Sequence, residues 1–446
     1  MTELIAKPIV VYGGPLFNGI DQFWENGAIF IENGKIAAIG TEEEVFERIP
    51  KALDIDTYDS MGNVIFPGLI NLHHHFYLSL AKGFPATGPL DSYQDRLRNF
   101  WWKLDKALDL NAIQLSALVS ILDLIRSGVT TVFDHHSSPL IVKNSLESIV
   151  GAVKRSGIRA NLCYGVSDRH GERVMHQGLE ENLAVMERYT GDNNISGTMG
   201  LYANFALSEE SLKEIAGRYQ PEMGIHILVG EDSTDLKHSQ DLGYDGPVDR
   251  LQHFGLLSNK ALLVHGLHLS PKDLRLIAES GATLVHNPES NMLHNVGSLT
   301  LPLPEDISTG FGTDGLSSNP LNALRSAYYH YRSTGLEDKV IIPALMNALF
   351  EGNRKAAGRY FNGYPGVLKE GTRADITVFA YMPLSPFQSD TLFEHLIAGI
   401  SQRQAGMVMA GGHIIFSEHA FYTLDEEVVR SEAQKVGKFV FNRYLA

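Results

Sequence analysis

Six short stretches of this chain gather side chains that can bind metal ions or move protons. In PGLINLHHHF, residues 67–76, His73 and His75 stand two apart on an apolar run. Residues i and i+2 of a strand face the same way, so two imidazoles one pleat apart can hold one metal ion. A lone strand histidine is more often a satisfied core residue, but three in a row at a strand end favour metal binding. His74 points the other way and is expected to be structural. In FGTDG, 311–315, Asp314 ends an apolar run and precedes a glycine. Alone it reads as a turn residue; beside His73 and His75 it becomes a third ligand and a proton acceptor for a metal-bound water. His265 closes the apolar run of LLVHGLHLS, 262–270, where it could steady a developing oxyanion or place a water. His268 should lie on the following loop. LVHNPESNM, 284–292, brings His286, Asn287, Ser290 and Asn291 to another strand end, with His286 and Asn291 as candidates for substrate recognition. VFDHHSSP, 132–139, adds Asp134, His135 and His136. One of the two histidines should face the pocket, the register deciding which; His136 is the substrate-binding candidate. Last, GIHILVGED, 224–232, reads as a buried strand that carries His226 inward and ends on two acids.

These stretches must be carried by elements that bring them to one place. From residue 66 onward, short apolar strands alternate with helix-period segments such as LSALVSILDLIRSG and SPKDLRLIAESG. The second closes on Gly281, as a helix C-terminus should. About eight such alternations over ~300 residues predict an α/β chain with a (β/α)8 TIM barrel over 66–365. Barrel sites are built at the C-terminal ends of many strands, which is where the polar residues cluster. A doubly wound open sheet also alternates, but it does not ask for that clustering. The chain ends read differently. Residues 1–65 hold β-branched runs broken by Gly and Asn turns, with ENGK at 32–35 as a hairpin signal. The same style returns in GVLKEGTRADITVFAY and AGMVMAGGHIIFSE. Residues 1–65 and 366–420 are therefore expected to form one small β-sandwich domain, and 421–446 a last amphipathic helix.

Lysine plus arginine is 37 against 52 aspartate plus glutamate, a net charge of −15. So acidic a surface argues against nucleic-acid polymers and anionic membranes as partners, while leaving a neutral nucleobase open as substrate. Cys163 is the only cysteine, which excludes an intramolecular disulfide and a cysteine-based zinc cluster. The opening MTELIAKPIVVYGG has no long apolar run, and nothing elsewhere approaches membrane-spanning length, so a cytoplasmic protein is expected.

PGLINLHHHFYLSLAKG, DHHSS, VHGLHLS, VHNPESN and GTDG, in this order, resemble the amidohydrolase superfamily. They look like its cytosine-deaminase and chlorohydrolase branch, and most like the SsnA aminohydrolases, as does WWKLDKALD at 101–109. The resemblance spans essentially the whole chain. It implies a metal-dependent barrel hydrolase that deaminates, or less often dechlorinates, nitrogen heterocycles such as purines, pterins, pyrimidines and triazines. It also implies one divalent ion, zinc first and iron or manganese after it, and a homodimer. In that pattern the paired histidines fall on His73 and His75, the last-strand aspartate on Asp314 and the strand-6 histidine on His265. The acid/base glutamate falls on Glu231. The pattern also expects a metal histidine three residues before that glutamate, and here Leu228 stands there. His226 shares its strand parity but lies about 6–7 Å deeper, so it reaches a metal only through a bulge or a register shift. A second departure is GLYANFALS, where Tyr202 and Asn204 occupy the place of a histidine motif; Tyr202 joins the substrate-binding candidates.

The expected function is hydrolytic deamination of an N-heterocycle, with Glu231, His265 and Asp314 as catalytic residues. An aromatic ring would fit beside Trp101, Trp102 or Phe76. Adjacent helical residues diverge, so only one tryptophan should meet the pocket; Trp102 is the candidate and Trp101 is expected in the core. Two rivals remain: hydrolysis of another C–N or a C–Cl bond in the same pocket, and a metal-poor binding protein, which Leu228 motivates.

Overall fold

The computed structural model describes residues 7–363 and 365–446. Residues 1–6, which open the expected small domain, and residue 364 lie outside the described residues. Eight parallel strands follow one another along the chain: Leu69–His74, Val129–His136, Arg159–Tyr164, Met199–Ala203, Ile225–Val229, Leu262–His265, Thr283–His286 and Ser308–Phe311. A ninth short piece, Ile195–Gly197, runs into Met199–Ala203 across Thr198 and pairs with Arg159–Tyr164. Backbone hydrogen bonds gather these strands into a four-stranded and a five-stranded sheet. The two sheets meet at both edges through isolated parallel bridges, Val166 to Leu201 and His74 to Asp314. At the second seam the amides of Thr313 and Asp314 both donate to the His73 carbonyl at 3.0 Å. The first and last strands therefore bring their C-terminal ends together.

Strands such as Arg159–Tyr164 and Ile225–Val229 are buried along their whole length, as parallel strands covered on both faces must be. The helices between them start and stop where their caps say. Helix Pro271–Ser280 opens on a reciprocal Ser270–Asp273 capping box with proline at its start, and ends on Gly281 at φ +68°.

Strands from both chain ends share a nine-stranded sheet. Eight of its strands lie on one hydrogen-bonded path, and Asp56–Asp59 pairs with Ile9–Phe17 off that path. The strand Ile65–Pro67 pairs with Ile376–Phe379 on one side and with Leu16 on the other, welding the N-terminal and C-terminal strands together. The ENGK hairpin forms as expected between Phe23–Glu32 and Lys35–Thr41. Asn33 and Gly34 both take positive φ, the requirement of a tight two-residue turn. A buried ion pair between Arg159 and Asp375, 2.8 Å, ties this sheet to the parallel strands. Helix Glu426–Leu445 packs on Leu110–Arg126 and Trp102–Ala107, and its Tyr444 hydroxyl donates to Pro85 O at 2.8 Å. Among the described residues no single helix is long and apolar enough to cross a membrane.

Candidate metal centre and active site

The C-terminal ends of the parallel strands converge on one buried cavity. Its walls include His75, Tyr93, Trp101, Tyr202, Leu228, Glu231, His265, His294 and Asp314. His73, His75 and Asp314 each offer a ligand atom, all within 4.8 Å of one another.

Hydrogen bonding fixes the state of these rings. His75 Nδ1 donates to the His135 carbonyl at 2.5 Å, which turns Nε2 toward Asp314 Oδ1, 3.2 Å away. That gap is bridged by a proton on Nε2 or by a metal ion that takes its place. His73 Nδ1 lies 2.8 Å from His226 Nε2, while His73 Nε2 is buried without a hydrogen-bond partner among the described residues. Donation from Nδ1 leaves the lone pair on Nε2, where a metal ligand needs it. Burial, reinforced by His75, His226, His135 and His265, pushes the His73 pKa well below its ordinary value, which keeps the ring neutral. The residues present thus fit a divalent cation.

His226 stays one pleat deep on a regular stretch of Ile225–Val229. The local irregularity falls on the neighbouring strand, between Leu201 and Ala203. The histidine therefore does not join the ligand group; it grips His73 from behind. Leu228, on the same face, reaches the cavity wall instead.

Glu231 follows Gly230, whose φ of +56° turns the chain into the cavity; a Cβ there would meet His268 O at 2.6 Å. Both carboxylate oxygens are engaged. The Tyr93 hydroxyl donates to Oε2 at 2.5 Å and His294 Nδ1 lies 3.2 Å from Oε1. Burial disfavours the Glu231 charge, but His265 and His294 outweigh it and hold the pKa below that of an ordinary glutamate. Burial is outweighed at Asp314 too, by His75, His265 and the Ser290 hydroxyl, which donates to Oδ2 at 2.6 Å. The Asn291 amide donates to His265 Nδ1 at 2.8 Å, leaving the proton on Nε2. That N–H faces Glu231 Oε2 at 3.4 Å and Asp314 Oδ2 at 4.0 Å. His265 and Asp314 both sit at positive φ, +76° and +54°. Non-glycine residues held there are uncommon and concentrate at functional sites.

Of the substrate-binding candidates, Tyr202 lines the cavity, braced by the Trp102 indole N–H at 3.1 Å and by Arg169 stacked 3.9 Å above its ring. The other four do not line it. Trp102 stands behind Tyr202; Trp101 takes the wall, its ring 5.7 Å from that of His75. The π-helical turn Leu97–Trp101 sets that orientation, which plain helical spacing does not reveal. His136 bonds Ser138 at 2.9 Å, and His135 is the inward histidine, its ring 5.2–5.9 Å from those of His226, His75 and His73. His286 turns to the Tyr331 hydroxyl at 3.4 Å, and Asn291 acts only through His265. His74 bonds Thr313 and Ser120 on the outer face, at 3.1 and 2.6 Å. Asn204 packs against Asp235 and Ser239, outside the site.

Sequence reasoning missed Tyr93 and His294. His294 lies one helical turn beyond Asn291, a spacing that could have found it. Tyr93 lies in a polar segment with nothing to mark its partner.

Residues 64–415 match the model of the amidohydrolase family. Among curated proteins, the chain is 25% identical over 426 residues to a 5-methylthioadenosine/S-adenosylhomocysteine deaminase of Desulforudis audaxviator, covering 92% of this chain and 94% of that one. It is 27% identical over 440 residues to a 5′-deoxyadenosine deaminase of Methanobrevibacter smithii, covering 96% and 97%. Among solved structures it resembles an adenosine deaminase from Xanthomonas campestris with bound zinc, with a TM-score of 0.84, 19% identity, and coverage of 97% and 98%. At that identity the likeness is one of fold.

Proposed function

The chain belongs to the amidohydrolase family, and we propose that it is a metal-dependent deaminase that hydrolyses the exocyclic amine of a purine-type heterocycle. One observation carries this reading: His73, whose Nε2 has no hydrogen-bond partner among the described residues, His75 and the Asp314 carboxylate offer ligand atoms within 4.8 Å of one another, and His75 and Asp314 line the cavity that Glu231 and His265 also face. A divalent ion held there, zinc on this reading, would lower the pKa of a bound water toward neutrality. The chain supplies the rest. Glu231 takes a proton from the attacking water and returns it to a ring nitrogen or to the departing amine. Asp314 accepts a second proton. His265 donates from Nε2 to the oxygen as charge grows on it. The C–N bond breaks, a C=O bond remains, and ammonia leaves. The names of the relatives support adenosine-type substrates.

The same reading takes the eight parallel strands, bridged at both seams, as a closed (β/α)8 barrel over 66–365. The small β-domain of 1–65 and 366–420 and the helix of 421–446 complete the chain. It also places the protein in the cytoplasm as a homodimer, which size-exclusion chromatography tests. The metal-poor rival has less support, because every donor except the one at Leu228 is in position.

The test is elemental analysis of protein grown and purified with supplemented metal, together with ammonia release from adenosine, 5′-deoxyadenosine and guanine. Near-stoichiometric metal and ammonia release are expected. Metal-free protein from that preparation, inert toward all three, overturns the reading.

A further inference from the structure

The cavity around Glu231 has about 20 Å³ of free space, room for one water. The bulk of a nucleoside-sized molecule must therefore lie elsewhere. A second cavity of about 320 Å³ shares Trp101 and His294 with it. Its other walls include Leu78, three residues past His75, and Gly315 and Leu316, which directly follow Asp314. It is thus a vestibule at the mouth of the metal group. Its lining is mostly apolar, with Phe84, Phe100 and Leu293 beside Leu78.

Two cations interrupt that lining, Lys82 and Arg96. Lys82 is occupied by Asp123 at 2.7 Å. Arg96 differs. It is half-buried, and among the described residues its guanidinium has no hydrogen-bond or ion-pair partner. A guanidinium set in an apolar lining without a counter-ion favours an incoming anion, since a bidentate pair replaces the water it lost. The residue also stands one turn beyond Tyr93, the residue that holds Glu231.

We propose that the vestibule holds the part of the substrate beyond its reacting ring, and that Arg96 selects an arm ending in a carboxylate or phosphate. The inference rests on the deaminase reading and narrows it to purine-type rings that carry an anionic arm across an apolar spacer.

Three probes that share an adenine ring test it: neutral 5′-deoxyadenosine, S-adenosylhomocysteine with its carboxylate, and adenosine 5′-monophosphate. Binding is measured by calorimetry on the full-length metal-loaded protein, and turnover by ammonia release. At least one anionic probe should bind more tightly than 5′-deoxyadenosine, and which one does tells carboxylate from phosphate. Arg96→Ala should weaken that probe roughly 10- to 100-fold, with the loss in KM rather than kcat, and leave 5′-deoxyadenosine within about twofold. Arg96→Lys should recover part of the loss, and the wild-type preference should shrink as salt is raised. Equal binding of the three probes, equal loss of all three in Arg96→Ala, or no binding of any of them overturns the proposal. If the charge preference holds in binding while no probe releases ammonia, the deaminase reading fails and the anion site stands.

Discussion

The two walls of the reaction cavity are built by different rules. One wall comes from the ends of Leu69–His74, Leu262–His265 and Ser308–Phe311. It is polar throughout and carries His75, His265 and Asp314. Two of these residues sit in the left-handed region, which costs about 1–3 kcal/mol each and persists only where surrounding structure over-determines it. Here the determinants are visible: Asn291 on His265, Ser290 and the amide of Gly315 on Asp314. The opposite wall comes from Met199–Ala203 and Ile225–Val229 and presents Tyr202 and Leu228. It packs as a core does. Chemistry is held by crossed hydrogen bonds on one side, and shape is set by apolar packing on the other. Glu231, on the loop just past the apolar wall, reaches across to join them.

That division predicts that proton transfer can be removed without disturbing metal binding. Glu231→Gln keeps the shape and removes the base, so kcat should fall roughly 10²- to 10⁴-fold with metal content unchanged. Steady-state kinetics and elemental analysis of the same preparation check it. Concurrent loss of metal would mean the walls are not separable. The next effect belongs to the layer beneath. His226 is not among the residues that line the reaction cavity, yet it holds His73 by Nδ1. His226→Ala should free that ring and weaken metal affinity about 10- to 100-fold in competition with a chelator. Unchanged affinity would show that His73 needs no such support.

The polar wall was largely legible in the sequence, because HxH at a strand end, a terminal His and an Asp before Gly each carry a local signature. Strand alternation also sent His226 below the ligand level, where it lies. The residues around the two walls were less legible. Whether Trp101 or Trp102 meets the cavity depends on a π-helical turn, and His135 over His136 depends on register irregularities next to Leu69–His74. Tyr93 meets Glu231 across 138 residues of sequence, a contact that local pattern cannot encode.

Leu228→His is the direct exchange between the walls. Leu228 already points at the cavity, so an imidazole there enters the reach of the ligand group. In the metal-free protein it replaces apolar packing with an unpaired polar ring, which should cost about 1–3 kcal/mol of stability. With metal the loss should reverse, and affinity should rise about tenfold, an increment of about 1.4 kcal/mol on the logarithmic scale. Thermal melts with and without added metal separate the two. A variant equally destabilised in both conditions would show that this wall cannot be converted by one residue.

The smallest effect concerns histidines that serve neither wall. His136 and His286 are both fully enclosed, and burial lowers each pKa to about 3. The unfolded chain takes up these protons near pH 6.5, while the folded chain refuses them until about pH 3. Between those limits the unfolded state binds more protons, so stability is full above pH 6.5 and falls as the pH drops. Glu231 and Asp314, whose pKa values are depressed, add their loss only below the ordinary carboxylate range. In the window from pH 6.5 to 5 the histidines are opposed by Asp134 and Asp235, whose carboxyls burial pushes up to about 8 and about 6, so the contribution of one ring is read from the difference between wild type and its variant. Relative to wild type, His286→Gln should gain about 1 kcal/mol of stability between pH 6.5 and 5 in denaturant unfolding, somewhat under the full 1.4 kcal/mol per pH unit because the site relaxes. A wild-type and His286→Gln pair whose midpoints keep the same separation from pH 6.5 to 5 would mean that the His286 ring is protonated in the folded state, and that its enclosure is looser than that of the rings lining the polar wall.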